Sequence, residues 1–430
     1  MSTQPHQSPL EPRSESRGAA SAPPPGRAWP AEGIARVPYW VYQDEDVYRA
    51  EQERIWRGET WNFVGLEAEV PEPGDYKTGF VGDMPVVLTR DLEGALRCFE
   101  NRCAHRGALL CLESQGHAKE IACIYHNWTY NLKGELTAIA FRKGIHGKGG
   151  MPEDAKPDSQ APRKLRVASY HGLVFATCSE GTPPIEAYLG EEIAEKVRRV
   201  MKEPVKVLGG YSQLLPSNWK LYMDNVKDTY HASLLHLFFT KFRLNRLEMK
   251  GGVIVSPDGG NHVSYNMMKT GGKHTEYEKA GVRSASGGYQ LEAPQLLESV
   301  DEIGDGITLQ ILSVFPGFVL QQISNSLAVR QVVPKGPGRS ELLWTCFGYA
   351  SDTEEMTERR LRQANLVGPA GFISMEDGAA TGFVQRGVQG AADRASFIEM
   401  GGREVASDES RVNEAAVRGL WKAYRRHMGF

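Results

Sequence analysis

Two short stretches decide how this sequence of 430 residues is interpreted: Cys103-Ala104-His105 and, seventeen residues later, Cys123-Ile124-Tyr125-His126. Each stretch offers one thiolate and one imidazole from a turn. Two thiolates and two imidazoles suit either a tetrahedral zinc ion or a [2Fe–2S] cluster in which one iron takes both cysteines and the other both histidines. A zinc finger draws its cysteines from one turn and its histidines from one helix, whereas here each turn supplies a mixed pair. The spacing therefore favours the cluster, with a zinc-stabilised or metal-free β domain as the alternatives.

The residues around these stretches predict a small, mostly antiparallel β domain. Short β-rich runs at 78–81, 85–89 and 173–176 are separated by Gly-containing turn signals. Upstream, Asp44 is placed to cap a helix. Residues 1–30 hold seven of the 24 prolines and five serines, and we expect them to form a disordered tail.

After residue 178 the sequence pattern changes from short β-rich runs to a mixture of helical and β-rich segments. Apolar residues at helical spacing predict a helix over 185–201, and a second helix starts after Ser217. β-rich segments at 308–323 and 327–333 precede helices at about 354–365, 373–388 and 410–428. The predicted fold is α+β: a disordered tail (1–30), a small antiparallel β domain (31–178), and a second domain (179–430) with an antiparallel sheet and flanking helices.

A second group of polar residues follows Ser217. Asp228 and His231 are i, i+3 neighbours on the predicted helix, so the carboxylate can reach the imidazole. His236 lies about 140° further round an ideal helix, so both histidines bind one ion only if the helix bulges or ends there. Two histidines and a carboxylate on one face of an ion are the ligand set of non-haem Fe(II) oxygenases.

Composition excludes several classes of protein. The chain has 50 Lys+Arg against 53 Asp+Glu and a net charge of −3, which argues against a nucleic-acid binder. No apolar run approaches the roughly 20 residues that span a bilayer. Six cysteines are too few for a secreted disulfide framework, so we expect a cytoplasmic protein in which Cys98 and Cys111 are buried thiols.

The two motifs carry a resemblance to one family. The stretches 103–107 and 123–128 resemble the Rieske motif of ring-hydroxylating oxygenases, and the run from Asn218 to His236 is similar to the mononuclear iron motif of the same large subunits. The resemblance implies a [2Fe–2S] cluster with Cys103 and Cys123 on one iron and His105 and His126 on the other. It also implies a mononuclear Fe(II) held by His231, His236 and Asp377.

Asp377 is chosen over the adjacent Glu376. It follows a Gly-Pro-Ala-Gly-Phe stretch at 368–372 that matches the family, and adjacent helix positions diverge by about 100°, so only one can face the iron.

The resemblance implies a reaction and partners. The chain is expected to be the catalytic large subunit of a multicomponent dioxygenase that uses O2 and electrons from NADH, which a reductase delivers either directly or through a ferredoxin. In this family the cluster of one subunit feeds the iron of its neighbour through an aspartate, here Asp228 between His126 and His231. A trimer of large and small (β) subunits is implied. The rival hypothesis is a Rieske electron carrier without oxygenase chemistry.

The likeness is strongest to large subunits acting on aromatic carboxylates, of the terephthalate, salicylate and anthranilate types. A ring carboxylate needs a fixed cation, preferably an arginine. Arg330 and Arg411 match the carboxylate contacts, with a solvent-facing arginine as the alternative for each. If both face the pocket, a dicarboxylate such as terephthalate fits best; if only Arg330 does, anthranilate, salicylate or indole-3-acetate fits equally well.

Overall fold

The computed structural model describes residues 27–242, 244–267, 276–282, 291–368 and 371–430. Most of the predicted tail and residues 369 and 370 of the Gly-Pro-Ala-Gly-Phe stretch therefore lie outside the described residues. Within the described part, no helix is long and apolar enough to cross a membrane.

The first half is built from short antiparallel strands. A seven-stranded sheet, in the order β1-β10-β9-β4-β3-β2-β5, packs with a three-stranded sheet, β6-β7-β8. These elements are α1 (Glu45–Glu51), β1 (Asn62–Leu66), β2 (Asp75–Val81), β3 (Met84–Arg90), β4 (Leu96–Glu100), β5 (Gln115–His117), β6 (Glu120–Ala122), β7 (Thr129–Asn131), β8 (Leu136–Ala138), β9 (Lys164–Tyr170) and β10 (Leu173–Thr177). The predicted antiparallel β domain is confirmed, and Asp44 caps α1 by accepting from two backbone N–H groups.

The second half carries one antiparallel sheet of seven strands, in the order β11-β17-β16-β15-β14-β13-β12, with helices around it. Its elements are α2 (Ile185–Leu189), α3 (Glu191–Val200), β11 (Val205–Leu215), α4 (Trp219–Lys227), α5 (Ala232–Leu235), α6 (Leu237–Lys241), β12 (Gly251–Val255), β13 (His262–Met267), α7 (Glu276–Lys279), β14 (Ile307–Val314), β15 (Phe318–Ile323), β16 (Ser326–Pro334), β17 (Ser340–Tyr349), α8 (Glu354–Val367), α9 (Phe372–Gly387) and α10 (Ala415–Met428). The α+β class is confirmed.

Three helix predictions were wrong in extent. The helix expected over 185–201 is divided at Gly190, whose φ of +76° interrupts the helical backbone. The helix after Ser217 ends at Lys227, because Asp228 adopts an extended conformation. The last helix begins at Ala415 rather than at 410, so Arg411 lies in the segment before it.

The segment before the first sheet packs in the core of the second half. Apolar side chains between Val37 and Trp56 share one buried cluster with Trp219 and Trp421. Glu51 is fully buried and accepts from the Nε1 of Trp219 at 2.8 Å, the Nζ of Lys220 at 2.6 Å and the hydroxyl of Tyr424 at 2.7 Å. The domain limits at 31, 178 and 430 stay predictions, while the packing places this segment against α4 and α10.

Candidate metal centres and substrate cavity

The first cysteine–histidine loop is closed by its own backbone. The N–H of Cys103 donates to the carbonyl of Ala108 at 2.8 Å, and the N–H of Gly107 donates to the carbonyl of Cys103 at 3.0 Å. Gly107 has a φ of +75°, a left-handed conformation that glycine adopts without strain. The turn buries the thiol and leaves His105 exposed.

The second loop repeats the same pattern. The N–H of Cys123 donates to the carbonyl of Trp128 at 2.9 Å, and the N–H of Asn127 donates to the carbonyl of Cys123 at 2.8 Å. Asn127, with a φ of +52°, takes the position that Gly107 holds in the first loop. Both thiols are buried, and the Nδ1 atoms of His105 and His126 lie 3.2 Å apart. The structure thus brings together the four side chains singled out by the motif.

Two aromatic residues that sequence reasoning missed support these loops. The hydroxyl of Tyr130 accepts from the N–H of Ala104 at 2.9 Å and lies 3.3 Å from the Sγ of Cys103. The Trp128 ring stacks on the His105 ring at a centroid distance of 4.8 Å. Desolvation, His126 and Arg106 all lower the pKa of His105, which favours the neutral imidazole that a metal requires.

The second group of predicted ligands is assembled where α4 ends. Asn218 caps the start of α4 by accepting from the N–H of Lys220, and the chain leaves the helix at Asp228. His231 then immediately precedes α5, and His236 lies between α5 and α6. The condition set by the spacing, that the helix must bulge or end for both histidines to reach one ion, is therefore met.

Asp377 on α9 completes a compact group with the two histidines. Its Oδ1 lies 3.2 Å from the Nε2 of His236 and 3.5 Å from the Nε2 of His231. One possible ligand atom from each residue lies within 4.8 Å of those of the other two. The Oδ1 of Asp377 is buried and has no hydrogen-bond donor among the described residues. Two imidazoles and a carboxylate in this arrangement fit a non-haem iron.

The other nitrogen of each histidine faces a second carboxylate. The Nδ1 of His231 lies 3.3 Å from the Oδ2 of Asp228, and the Nδ1 of His236 lies 2.7 Å from the Oε2 of Glu376. Such carboxylates fix the ring orientation of metal-binding histidines. Sequence reasoning weighed Glu376 only as a rival ligand and missed this role, although its place beside Asp377 was a signal.

The electrostatics of this group suit a cation. Burial alone would lower the pKa of His231, but the neighbouring carboxylates of Asp228 and Asp377 raise it to about 10. Burial would raise the pKa of Asp377, yet the two imidazoles hold it well below its usual range. A bound metal ion would supply the positive charge that a proton on His231 supplies in its absence.

A cavity opens beside this group. It contains about 670 Å³ of space not filled by protein atoms, including the solvent at its mouth. Its wall combines apolar side chains from the sheet and α6 with a few polar ones. The lining includes Phe239, Leu309, Ile311, Ile323, Arg330 and Arg411.

Both predicted arginines are buried in this wall, which rules out the solvent-facing alternative. Arg330 is 6% exposed, and its Nη1 donates to the hydroxyl of Tyr222 at 2.7 Å. Arg411 is 3% exposed and donates to the Oδ1 of Asn245 and the carbonyl of Arg246. Burial lowers the pKa of Arg411 to about 10. Among the described residues, neither arginine has a carboxylate partner.

Comparisons with known proteins agree with this geometry. The family model for the Rieske [2Fe-2S] domain matches residues 60–146, and that for the ring hydroxylating alpha subunit (catalytic domain) matches residues 193–429. The chain is 56% identical to the terminal oxygenase component subunit alpha 2 of terephthalate 1,2-dioxygenase from Comamonas sp, covering 93% of this chain and 97% of that one. It is 46% identical to the anthranilate 1,2-dioxygenase large subunit of Burkholderia cepacia, covering 94% and 95%.

Among solved structures, naphthalene 1,2-dioxygenase from Rhodococcus sp. bound to indole shares the fold. The TM-score is 0.76 at 22% identity, over 91% of this chain and 94% of that chain.

Proposed function

The chain belongs to the ring-hydroxylating oxygenase alpha subunits, and from this premise we propose that it hydroxylates an aromatic dicarboxylate of the terephthalate type. The resemblance carried by the two motifs is confirmed. The Rieske domain carries a [2Fe–2S] cluster, and the catalytic domain uses a mononuclear iron. The rival hypothesis of a pure electron carrier is not favoured, because the catalytic-domain model covers residues 193–429.

For the cluster, the proposed ligands are Cys103 and Cys123 on one iron and His105 and His126 on the other. The two loops support this assignment by their matching hydrogen bonds, which present a buried thiol and a more accessible imidazole each. The Tyr130 hydroxyl beside Cys103 Sγ adds a polar contact of the kind that tunes a cluster's potential.

For the mononuclear iron, the proposed ligands are His231, His236 and Asp377. When bound, the iron supplies the site at which O2 is activated with electrons from the cluster. The protein's own part is to hold the two imidazoles by Asp228 and Glu376 and to leave the cavity side open to substrate.

Asp228 is proposed to connect the cluster of a neighbouring chain to this iron. Its Oδ1 accepts from the N–H of Tyr230 at 2.8 Å, and its Oδ2 faces His231, so the carboxylate is fixed. Around His105 and His126, large apolar side chains are exposed, which supports coverage by another chain. They are Ile124, Tyr125 and Phe141. The proposed system is completed by a small β subunit, in a trimer of large and small pairs, and by an NADH-dependent reductase that acts either directly or through a ferredoxin.

The observation that carries the substrate proposal is that the two buried arginines in the cavity wall have no carboxylate partner among the described residues. Arg330 lies on β16, whereas the Nε of Arg411 lies against Gly251 on β12, where a Cβ would come within 3.2 Å of it. The two strands are four steps apart in the sheet, roughly 19 Å at about 4.8 Å per step, so the two cations line different parts of the cavity wall. A substrate with one carboxylate would leave one buried cation unpaired, which is costly.

The test is oxygen uptake by the purified protein, with reductase and NADH, over a panel of terephthalate, anthranilate, salicylate, indole-3-acetate and an uncharged ring. We expect terephthalate to give the highest kcat/KM. Arg411→Gln should raise KM for terephthalate more than for the monocarboxylates. Equal rates for charged and uncharged rings would overturn the proposal, and a preference for a monocarboxylate would reassign the substrate.

A further inference from the structure

Buried arginines in this protein differ in what neutralises them. Arg360 is 1% exposed and binds two carboxylates: its Nη2 lies 2.6 Å from Glu302 and its Nε 2.7 Å from Asp352. The Tyr349 ring covers its guanidinium, with the Cζ 4.8 Å from the ring centroid. Arg360 is thus a structural cation whose charge is fully matched within the protein.

Arg330 has the same aromatic contact without the anions. Its Cζ lies 4.8 Å from the centroid of the Trp344 ring, directly across the β16–β17 pair, and its Nη1 donates to the Tyr222 hydroxyl. Its Nε is buried and has no acceptor among the described residues. Burial raises the pKa of Tyr222, so the hydroxyl stays uncharged at neutral pH.

We propose that Tyr222 and Trp344 form a neutral clamp that fixes the Arg330 guanidinium without neutralising it, and so determine the preference for a carboxylate at this end of the cavity. This inference rests on the proposed function. A glutamate or aspartate in either position would hold the arginine equally firmly but would remove the charge that the substrate needs. With two uncharged partners, the substrate carboxylate becomes the only counterion.

The clamp also sets where the carboxylate lies relative to the iron. Tyr222 belongs to α4, the helix that ends just before Asp228 and His231. Trp344 belongs to β17, the strand paired with β16, where it lies across from Arg330. The two are positioning residues, since they act on the substrate through Arg330.

The experiment measures binding to the holoprotein by titration calorimetry. The ligands are terephthalate and terephthalamide, which have the same ring but differ in charge. For Tyr222→Phe we expect terephthalate to bind about tenfold more weakly, as for a hydrogen bond to a charged group. For Trp344→Leu we expect a similar loss, as for a buried cation–π contact. The amide should change less than about threefold, because bonds to neutral acceptors are roughly half as strong. In turnover, KM for terephthalate should rise while kcat stays within about twofold.

The matched control is Tyr349→Phe, at the arginine whose charge is already neutralised, which should leave both affinities unchanged. The visible spectrum of the cluster and the Tm report folding, and the two clamp variants test the proposal independently. Equal weakening for acid and amide, or unchanged affinity for the acid in a folded variant, would overturn the clamp. Failure of the unaltered protein to bind terephthalate would instead overturn the proposed function.

Discussion

The two metal centres of this chain are built in opposite ways. The candidate cluster ligands lie between residues 103 and 126, in two loops that close their own hydrogen bonds and leave an imidazole accessible. The candidate iron ligands His231 and His236 lie at a break between helices, whereas Asp377 comes from the distant helix α9. All three are largely buried. A local site is specified by spacing, whereas a site assembled over a long separation depends on the whole catalytic fold.

The largest effect is expected from removing a cluster ligand. Cys123→Ala should abolish the visible absorption of the cluster and all turnover, while iron at the catalytic site is retained. Visible spectroscopy and iron and sulfide assays check this outcome. Cys111→Ala is the matched control, because Cys111 is buried in the same apolar cluster but lies outside the motif. Loss of the visible absorption in Cys111→Ala, or its retention in Cys123→Ala, would contradict the ligand assignment.

A smaller loss of turnover is expected when both metal centres are intact but the proposed connection between them through Asp228 is removed. Asp228→Ala should keep the cluster and the catalytic iron yet reduce turnover about 100-fold, the upper range for removing a carboxylate that orients a metal-binding histidine. Metal content and single-turnover product formation are the measurements. Normal product yield from the variant would remove the proposed route through Asp228.

Glu376→Gln is expected to weaken metal binding at the buried iron site only partly and to leave the cluster unchanged. The amide can still accept from His236 Nδ1 but without charge, so the affinity for Fe(II) or Co(II) should fall about tenfold. Competition with a chelator measures this affinity, and the cluster spectrum should not change. If affinity is unaltered, the 2.7 Å contact between Glu376 and His236 does not support the metal.

The smallest effect on the two centres is expected from Asp224, a carboxyl group in the second half of the chain whose contribution to stability depends on pH. Burial raises the pKa of Asp224 from 3.8 to about 7, although its Oδ2 accepts from the Nε1 of Trp421 at 2.9 Å. The protonated form is therefore favoured on folding, and its stabilising contribution is complete below pH ~4 and lost as pH rises towards 7. Relative to the unaltered protein, Asp224→Asn should gain up to about 1.4 kcal/mol per pH unit over this range.

Thermal or urea unfolding of Asp224→Asn and the unaltered protein at pH 5 and pH 7.5 checks the sign. A stability difference between the two proteins that does not change with pH would contradict the raised pKa.

The sequence was most informative where partners are close along the chain. The cluster motif, the Asp44 cap and the α+β class all depend on spacings of a few residues. The break after Lys227 was foreseen only as a condition for joining His231 and His236, because helical periodicity continues through Asp228. Gly190 was a local signal that the helical apolar pattern obscured.

What sequence reasoning missed depends on long-range packing. Glu376 contacts His236 from a helix 140 positions away, and Tyr222 contacts Arg330 from 108 positions away. No periodicity encodes such pairs. The start of the last helix at Ala415 was also missed, and it places Arg411 in a segment that reaches back to Asn245.

The buried Glu51 has a consequence for how the chain matures during synthesis. Its partners Lys220 and Tyr424 lie 169 and 373 positions further along, and the strands of the first sheet are made before either of them. Domains generally fold as units, the N-terminal one first. The first sheet and its cysteine loops are thus synthesised before α10. Until α10 is made, Glu51 lacks the Tyr424 hydroxyl as a hydrogen-bond donor. We therefore expect the first sheet to fold before the catalytic core closes.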